Sequence, residues 1–443
     1  MASQWGSQGG FILATIGAAV GLGNIWRFSY VAGENGGAVF LLIYLVFVVL
    51  IGLPLMIAEI AIGRRHPGDA VSAFEADGIS GLWRKTGWPG VISAVLIASY
   101  YAVVAGWAFK YFAGAVSGDL WQAAATGYGG YFDGFIAGQF EPVIWQALAL
   151  GLAAAVVAKG IKGGIERVNI LLMPVLVVII LGMAGFAMTL PGSGRGAAFL
   201  LAPDWSAFGR PAVYLNALGQ AFFSLGVGVA VFVTYGGYLG ASNRIPSAAV
   251  AIVLGDTAFA ILAGVAIFGT VFALGGDPAA GPKLAFITFP QILMELPGGR
   301  WIGMIFFFLL SAAALTSMVA LLEVPVACLM NRAGWSRFRA VSVVAAVIFL
   351  LGLPSALGYG VLAGITLSGM ALLDAIDHAV SNFLLPVSGL LIALLAGWHL
   401  NRSSMIAAAG MKGTALGVLW IWSLRVLVPV MILLIIVRSL GLF

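Results

Sequence analysis

Apolar residues in this chain fall in long unbroken runs, near 10–34, 38–63, 90–116, 142–158, 166–190, 211–239, 243–274, 299–330, 338–353, 368–398 and 414–438. About 20 consecutive apolar residues carry a helix across a bilayer. A membrane β-strand would instead alternate apolar and polar positions over about ten residues. The pattern therefore predicts an all-α integral membrane protein with about 11 transmembrane helices, in a single transmembrane domain over 1–443. The longest polar connections, near 117–141, 191–210 and 275–298, leave no separate soluble domain.

Composition sharpens this. Hydrophobic residues make up 62% of the chain and charged ones 8%, against roughly 25% charged in soluble domains. The formal charge of +5 could point to nucleic acid, but its placement does not. With the N-terminus in the cytoplasm, short inner loops carry Arg64, Arg65, Arg84, Lys85, Lys159, Lys162, Arg244, Arg332, Arg337 and Arg339, while Asp119, Asp133, Glu141, Asp204 and Asp277 fall outside. Basic residues favour the cytoplasmic side. No nucleic-acid partner and no obligate protein partner is expected, only membrane lipid and a substrate. Eleven spans would place the C-terminus outside, and no twelfth helix is expected. The single Cys328 excludes an internal disulfide, and no cleavable leader is apparent ahead of the first run.

Two runs are interrupted. The first reads Gly17-Ala18-Ala19-Val20-Gly21-Leu22-Gly23-Asn24, and the sixth reads Ser224-Leu225-Gly226-Val227-Gly228-Val229-Ala230. Glycine costs about 1 kcal/mol against alanine inside a helix. Glycines alone are better read as the mark of close helix packing. Beside Asn24 and Ser224, and at matching places in two five-helix halves, they point to unwound segments around a transport site. Bare carbonyls there can hold a cation, and half-helix N-termini can hold a carboxylate. Asp256 lies inside the seventh run, where a charge costs about 2.5–3.5 kcal/mol. With Thr316-Ser317 of the eighth run it adds oxygen ligands suited to an alkali cation. Glu59 and Glu323 lie nearer span ends, where a structural role is as reasonable. His66, His378 and His399 show no metal-ligand spacing. No GxxxxGK[ST] loop occurs, so ATP drive is not expected. The absence of a nucleophile–base or metal constellation disfavours an intramembrane enzyme. A receptor on the same scaffold is disfavoured by the lack of a signalling domain, and a channel by the paired gates that the family resemblance described next implies.

Gly21-Leu22-Gly23-Asn24-Ile25-Trp26-Arg27-Phe28, followed by Glu34-Asn35-Gly36-Gly37, closely resembles the signature of the neurotransmitter:sodium symporter family. Further matches are Gly52-Leu53-Pro54, Tyr100-Tyr101 with Trp107, Gln220-Ala221-Phe222-Phe223-Ser224 and Leu315-Thr316-Ser317. The resemblance covers nearly the whole chain and points to the bacterial amino-acid transporter branch. It implies a LeuT-type fold of two inverted five-helix repeats, 10–190 and 211–398, with an additional helix 11 at 414–438 and helices 1 and 6 unwound at mid-membrane. It implies a multi-pass protein of the bacterial plasma (inner) membrane that takes up an amino acid with two co-transported sodium ions, by alternating access.

Carried over by matching residues, the resemblance implies a first sodium site at Ala19, Asn24, Ser224 and Asp256. A second would lie at Gly17, Val20, Ala313, Thr316 and Ser317. The substrate carboxylate would meet Leu22, Gly23 and Tyr101, and its ammonium Ala19, Phe223, Ser224 and Gly226. Its side chain would lie among Ile97, Tyr101, Phe223, Val229, Met318 and Leu321, with room left by Gly226 and Gly228. Gly21 stands where monoamine members carry aspartate, which implies a substrate with its own carboxylate. Hydrophobic L-amino acids, aromatic ones included, are expected. The outer gate would be Arg27 and Asp377 with Tyr101 and Phe223 as a lid. At the inner gate the usual arginine–acid pair is replaced by Ala2 and Asn331, leaving Trp5 and Tyr238 as the seal. Gly164 and Pro174 have the spacing that marks unwinding of helix 5 in relatives, an ordinary proline kink being the alternative. Ala260, in place of a chloride-binding serine, with Asp256 nearby, implies chloride-independent transport.

Overall fold

In the computed structural model, residues 5–75, 79–123, 127–240, 243–279 and 281–439 are described. Nine continuous helices among them are long and apolar enough to cross a membrane. They are α2 (Ala38–Arg65), α3 (Gly81–Ser117), α4 (Glu141–Ala158), α5 (Ile161–Thr189), α7 (Ile245–Ala273), α8 (Gly299–Ala333), α9 (Arg337–Leu357), α10 (Leu372–His399) and α11 (Ala415–Arg438). Two broken helices complete the set. The first bends by 48° between α1a (Gln8–Ala19) and α1b (Gly23–Glu34). The other joins α6a (Pro211–Leu225) to α6b (Val231–Gly237) across five non-helical residues.

Runs rich in valine and isoleucine become helices here because only a helix satisfies each backbone group within its own segment in lipid. Local signals set the ends. Ser7 caps α1a by accepting the Gly10 N–H, Pro211 opens α6a, and Gly118 (φ 97°) and Gly334 (φ 64°) end α3 and α8 in the left-handed region. The polar connections hold short helices that the run pattern did not predict, including Tyr128–Ile136, Ser193–Leu201 and Arg402–Ala408.

α3 and α8 are largely buried and pack along each other at the centre of the bundle. α4, α5, α9 and α11 form an outer sheath that turns apolar side chains outward, among them Leu171, Val178, Leu350 and Leu416. Glycine lets α6b lie directly on α2. A β-carbon at Gly63 would stand 2.0 Å from the Val233 carbonyl, and one at Gly236 would stand 2.6 Å from that of Ile60. This contact holds the broken helix at the centre, beside α1.

Candidate substrate and ion site

Both breaks occur where glycines and polar residues were read in the sequence. In the first, Val20 turns extended (φ −72°, ψ 102°) and ends α1a. Its freed groups find partners locally. The Gly21 N–H donates to Asn24 Oδ1 at 3.0 Å, and the Leu22 N–H donates to the Tyr101 hydroxyl at 3.0 Å. In the second, Gly226, Gly228 and Ala230 all take positive φ (71°, 80° and 63°). Ala230 accepts this strain without being glycine, and Gly90 of α3 makes room for its methyl group. The Gly228 N–H donates to the buried Glu59 carboxylate at 2.7 Å. Glu59, for which the sequence suggested a structural role without naming its partner, is the brace of the α6 break.

Asn24, Ser224 and Asp256 form one buried cluster. Asn24 Nδ2 donates to Asp256 Oδ1 (2.8 Å), the Asp256 carbonyl (3.0 Å) and Ser224 Oγ (3.3 Å). Ser224 Oγ donates to Asp256 Oδ2 at 2.8 Å. The sequence reading missed Tyr44, whose hydroxyl donates to Ser224 Oγ at 3.4 Å. Only the position of Tyr44 on the inner face of α2 could have signalled it. The groups donating to Asp256 here are neutral, so the arrangement suits a monovalent cation as its charge partner. Ala19 closes α1a and lines the adjacent cavity.

A second group of oxygens lies where α1a meets α8. Ser317 Oγ lies 3.4 Å from the Gly17 carbonyl and 3.5 Å from that of Val20, and Thr316 Oγ1 donates to the Ala313 carbonyl at 2.9 Å. Gly17, Val20 and Ser317 are thus brought together across two helices, while Thr316 bonds back to Ala313 within α8.

Between the two groups lies a cavity of about 40 Å³. Ile97, Tyr101, Phe223, Val229 and Leu321 line it as expected, with Gly23 and Gly226. Phe232 and Ala320 join them unforeseen, and Ser317 reaches it from the second oxygen group. Met318 is fully buried and lies outside the lining. Gly226 leaves open space, with nothing within 4 Å of where its β-carbon would be. Gly228 leaves none: a β-carbon there would stand 2.8 Å from the Leu385 carbonyl, so its smallness serves packing on α10. At Gly21 a β-carbon would stand 2.2 Å from Ser317 Oγ and 2.6 Å from the Tyr101 hydroxyl, leaving no room for aspartate.

The cavity is closed at both ends. On one side Arg27 Nε pairs with Asp377 Oδ2 at 3.2 Å, Arg27 Nη1 donates to Gln220 Oε1 at 2.7 Å, and the guanidinium stacks 5.0 Å above the Phe223 ring. The Tyr100 hydroxyl donates to the same aspartate at 2.8 Å. On the other side Trp5 Nε1 donates to the Tyr235 carbonyl at 3.0 Å, and the Trp5 ring packs edge-on against Tyr238 at 6.4 Å. The Tyr238 hydroxyl donates to Glu323, which Arg337 holds through two contacts of 2.7 and 3.0 Å. That buried pair was not read from sequence, because its partners lie on different helices. The Ala2 position lies outside the described residues. Asn331 bonds a loop instead, its Nδ2 donating to Asp69 Oδ2 at 2.6 Å. Burial pushes the Asp69 carboxyl up, but hydrogen bonds from Asn331, Ser72 and Cys328 outweigh this and hold it below its ordinary value. Gly164 sits in a widened turn over Ile161–Glu166, and the stretch through Pro174 is helical in this structure. A β-carbon at Gly164 would stand 2.0 Å from the Val156 carbonyl, so this glycine also serves packing against the end of α4.

Two half-broken helices around a closed cavity, with ion pairs on both sides, define a secondary transporter. The sodium:neurotransmitter symporter family model matches residues 2–129 and 138–443, and the chain belongs to that family. It is 38% identical to the sodium-dependent transporter YhdH of Bacillus subtilis, covering 99% of this chain and 98% of the relative. It is 33% identical to a sodium-dependent transporter of Haemophilus influenzae, covering 98% of each. The structure matches a crystal structure of MhsT in complex with L-phenylalanine, at TM-score 0.95 and 47% identity over 99% of both chains. The chain is a multi-pass membrane protein of the LeuT-type fold and a sodium-coupled symporter, not an enzyme.

Proposed function

We propose that this transporter carries hydrophobic L-amino acids, aromatic ones included, into the cell with two sodium ions and without chloride. The observation that carries this reading is the cavity at the two breaks. At one end the Leu22 amide and the Tyr101 hydroxyl sit 3.0 Å apart, a pair suited to a carboxylate. The body of the cavity is apolar, and the open space at Gly226 suits a ring. The phenylalanine in the MhsT complex supports the same class. One sodium belongs at Ala19, Asn24, Ser224 and Asp256, beside the substrate carboxylate. The other belongs at Gly17, Val20, Ala313, Thr316 and Ser317, where it ties α1a to α8.

Asp256 supplies within the membrane the negative charge that chloride would otherwise bring, and Ala260 offers no hydroxyl to hold an anion. Arg27 with Asp377 forms the outer gate over Phe223 and Tyr101. Trp5 and Tyr238 form the inner seal. The N-terminus lies in the cytoplasm and the C-terminus outside. The test is uptake of each of the twenty amino acids into proteoliposomes, with sodium or potassium and with chloride or gluconate. Saturable, sodium-dependent uptake of phenylalanine, tryptophan and leucine, undiminished in gluconate, is expected. Uptake restricted to charged or very small amino acids, or collapse in gluconate at constant sodium, overturns the reading.

A further inference from the structure

From Val168 to Met188, α5 carries one side chain able to hydrogen-bond, Asn169. It is 1% exposed. Its Nδ2 donates to the Ile165 carbonyl on the same helix at 2.8 Å, while its Oδ1 has no hydrogen-bond partner. A buried acceptor left unpaired costs free energy that an apolar side chain of the same size would not. The oxygen points at α1a: a β-carbon at Gly17 would stand 1.8 Å from it. Gly17 is the residue whose carbonyl lies 3.4 Å from Ser317 Oγ in the second oxygen group.

One turn earlier on α5 stands Glu166, also buried. Its Oε2 accepts the Gly6 N–H at 2.8 Å, and a β-carbon at Gly10 would stand 1.9 Å from its Oε1. Gly10 and Gly17 thus bring one face of α1a onto two oxygen-bearing side chains of α5. Residues three apart on a helix share a face, so the two oxygens line one track between α1a and α5. The track starts at the second ion site and ends at the N-terminal segment.

We infer that Asn169 Oδ1 is a transient seat for sodium on the inner side of the second ion site, the first oxygen an ion meets when α1a parts from α5. This rests on the reading of Gly17, Val20, Thr316 and Ser317 as a sodium site, and adds to it a ligand on a third helix. A neutral amide oxygen with two free lone pairs suits the task. It helps the ion to leave the Gly17 carbonyl without trapping it as a fixed charge would.

Uptake by right-side-out vesicles loaded with graded internal sodium tests this. Internal sodium slows uptake by refilling the inner end of the path. Asn169→Val is expected to raise the internal sodium giving half-inhibition by about threefold or more, and Asn169→Asp to lower it by a similar factor, while external sodium dependence of substrate binding stays within about twofold in Asn169→Val. Two variants shifting in opposite directions guard against one that simply folds badly. An unchanged half-inhibitory concentration in both overturns the inference, even if uptake is slower, since a packing role would change rate alone. Shifts in the same direction overturn it too. Ser317→Ala is the control for the underlying site: if it leaves external sodium dependence as in the unaltered protein, the second sodium site itself is wrong, whatever Asn169 shows.

Discussion

Asp256 is the costliest residue in the site and the most informative. A fully buried carboxylate that accepts from neutral Asn24 and Ser224 calls for a cation. Asp256→Asn keeps the shape and removes the charge. In gluconate medium it is expected to raise the sodium needed for half-maximal amino-acid binding by about tenfold or more, with chloride restoring part of the loss. Equilibrium binding with labelled substrate reads both effects, and unaltered chloride-independent binding would refute the assignment. Gly226 makes the matching argument for the substrate. One methyl group in an apolar pocket shifts discrimination by roughly 1–3 kcal/mol. Gly226→Ala is expected to weaken tryptophan binding at least about tenfold and valine binding much less, in competition assays. At this scale the motif residues were legible, because their chemistry is conspicuous in an apolar run. What escaped was direction. Met318 sits on the right helix but outside the cavity lining, and Gly228 packs on α10 where open space was expected. A sequence gives spacing along one helix and does not show which neighbour fills the gap.

Spans and breaks were read almost to their ends, since hydrophobic length and glycine content act within one segment. The brace of the α6 break was not, because it comes from another element. Glu59 reaches from α2 to the Gly228 amide inside the α6 break. Leaving a buried N–H unpaired costs about 1–3 kcal/mol. Glu59→Ala is therefore expected to lower thermal stability in detergent by that order, while Glu59→Gln, which keeps an acceptor oxygen, retains most of it. Equal losses in both would mean that the charge, not the hydrogen bond, matters. α5 shows the reverse limit. Pro174 and Gly164 were legible, yet this structure keeps the intervening turns helical. Proline removes one backbone bond and so makes opening easier without forcing it.

Alternating access requires that the two closures of the whole molecule never open together. In the orientation proposed above, the outer closure is one buried ion pair, Arg27 with Asp377, over an aromatic lid. The inner one is a chain in which the Trp5 N–H donates to the Tyr238 carbonyl, the Tyr238 hydroxyl donates to Glu323, and Glu323 pairs with Arg337, crossing from the N-terminal segment to the end of α6b, α8 and α9. Asn331 and Asp69 add a latch between α8 and the loop after α2. Because the Asp69 carboxyl is held below its ordinary value, this latch is in force at neutral pH and is lost only as pH falls through that lowered value. Having Ala2 and Asn331 in place of the usual arginine–acid pair therefore does not leave the inner side unsealed. Removing one partner of a buried pair leaves the other charge uncompensated, typically at a cost of about 3–5 kcal/mol. Arg337→Ala should thus release Tyr238, and with it Trp5. Amide hydrogen exchange over residues 5–12 is the direct readout, since the Trp5 N–H is held by the Tyr238 carbonyl and the Gly6 N–H by Glu166. Exchange there is expected to quicken by about tenfold or more in Arg337→Ala, with sodium-dependent binding weakened as the inward-facing state gains population. Arg27→Ala is expected to leave the same segment protected, because it opens the opposite end. Equal exchange over 5–12 in Arg337→Ala and the unaltered protein would show that the aromatic contacts alone seal the inner side.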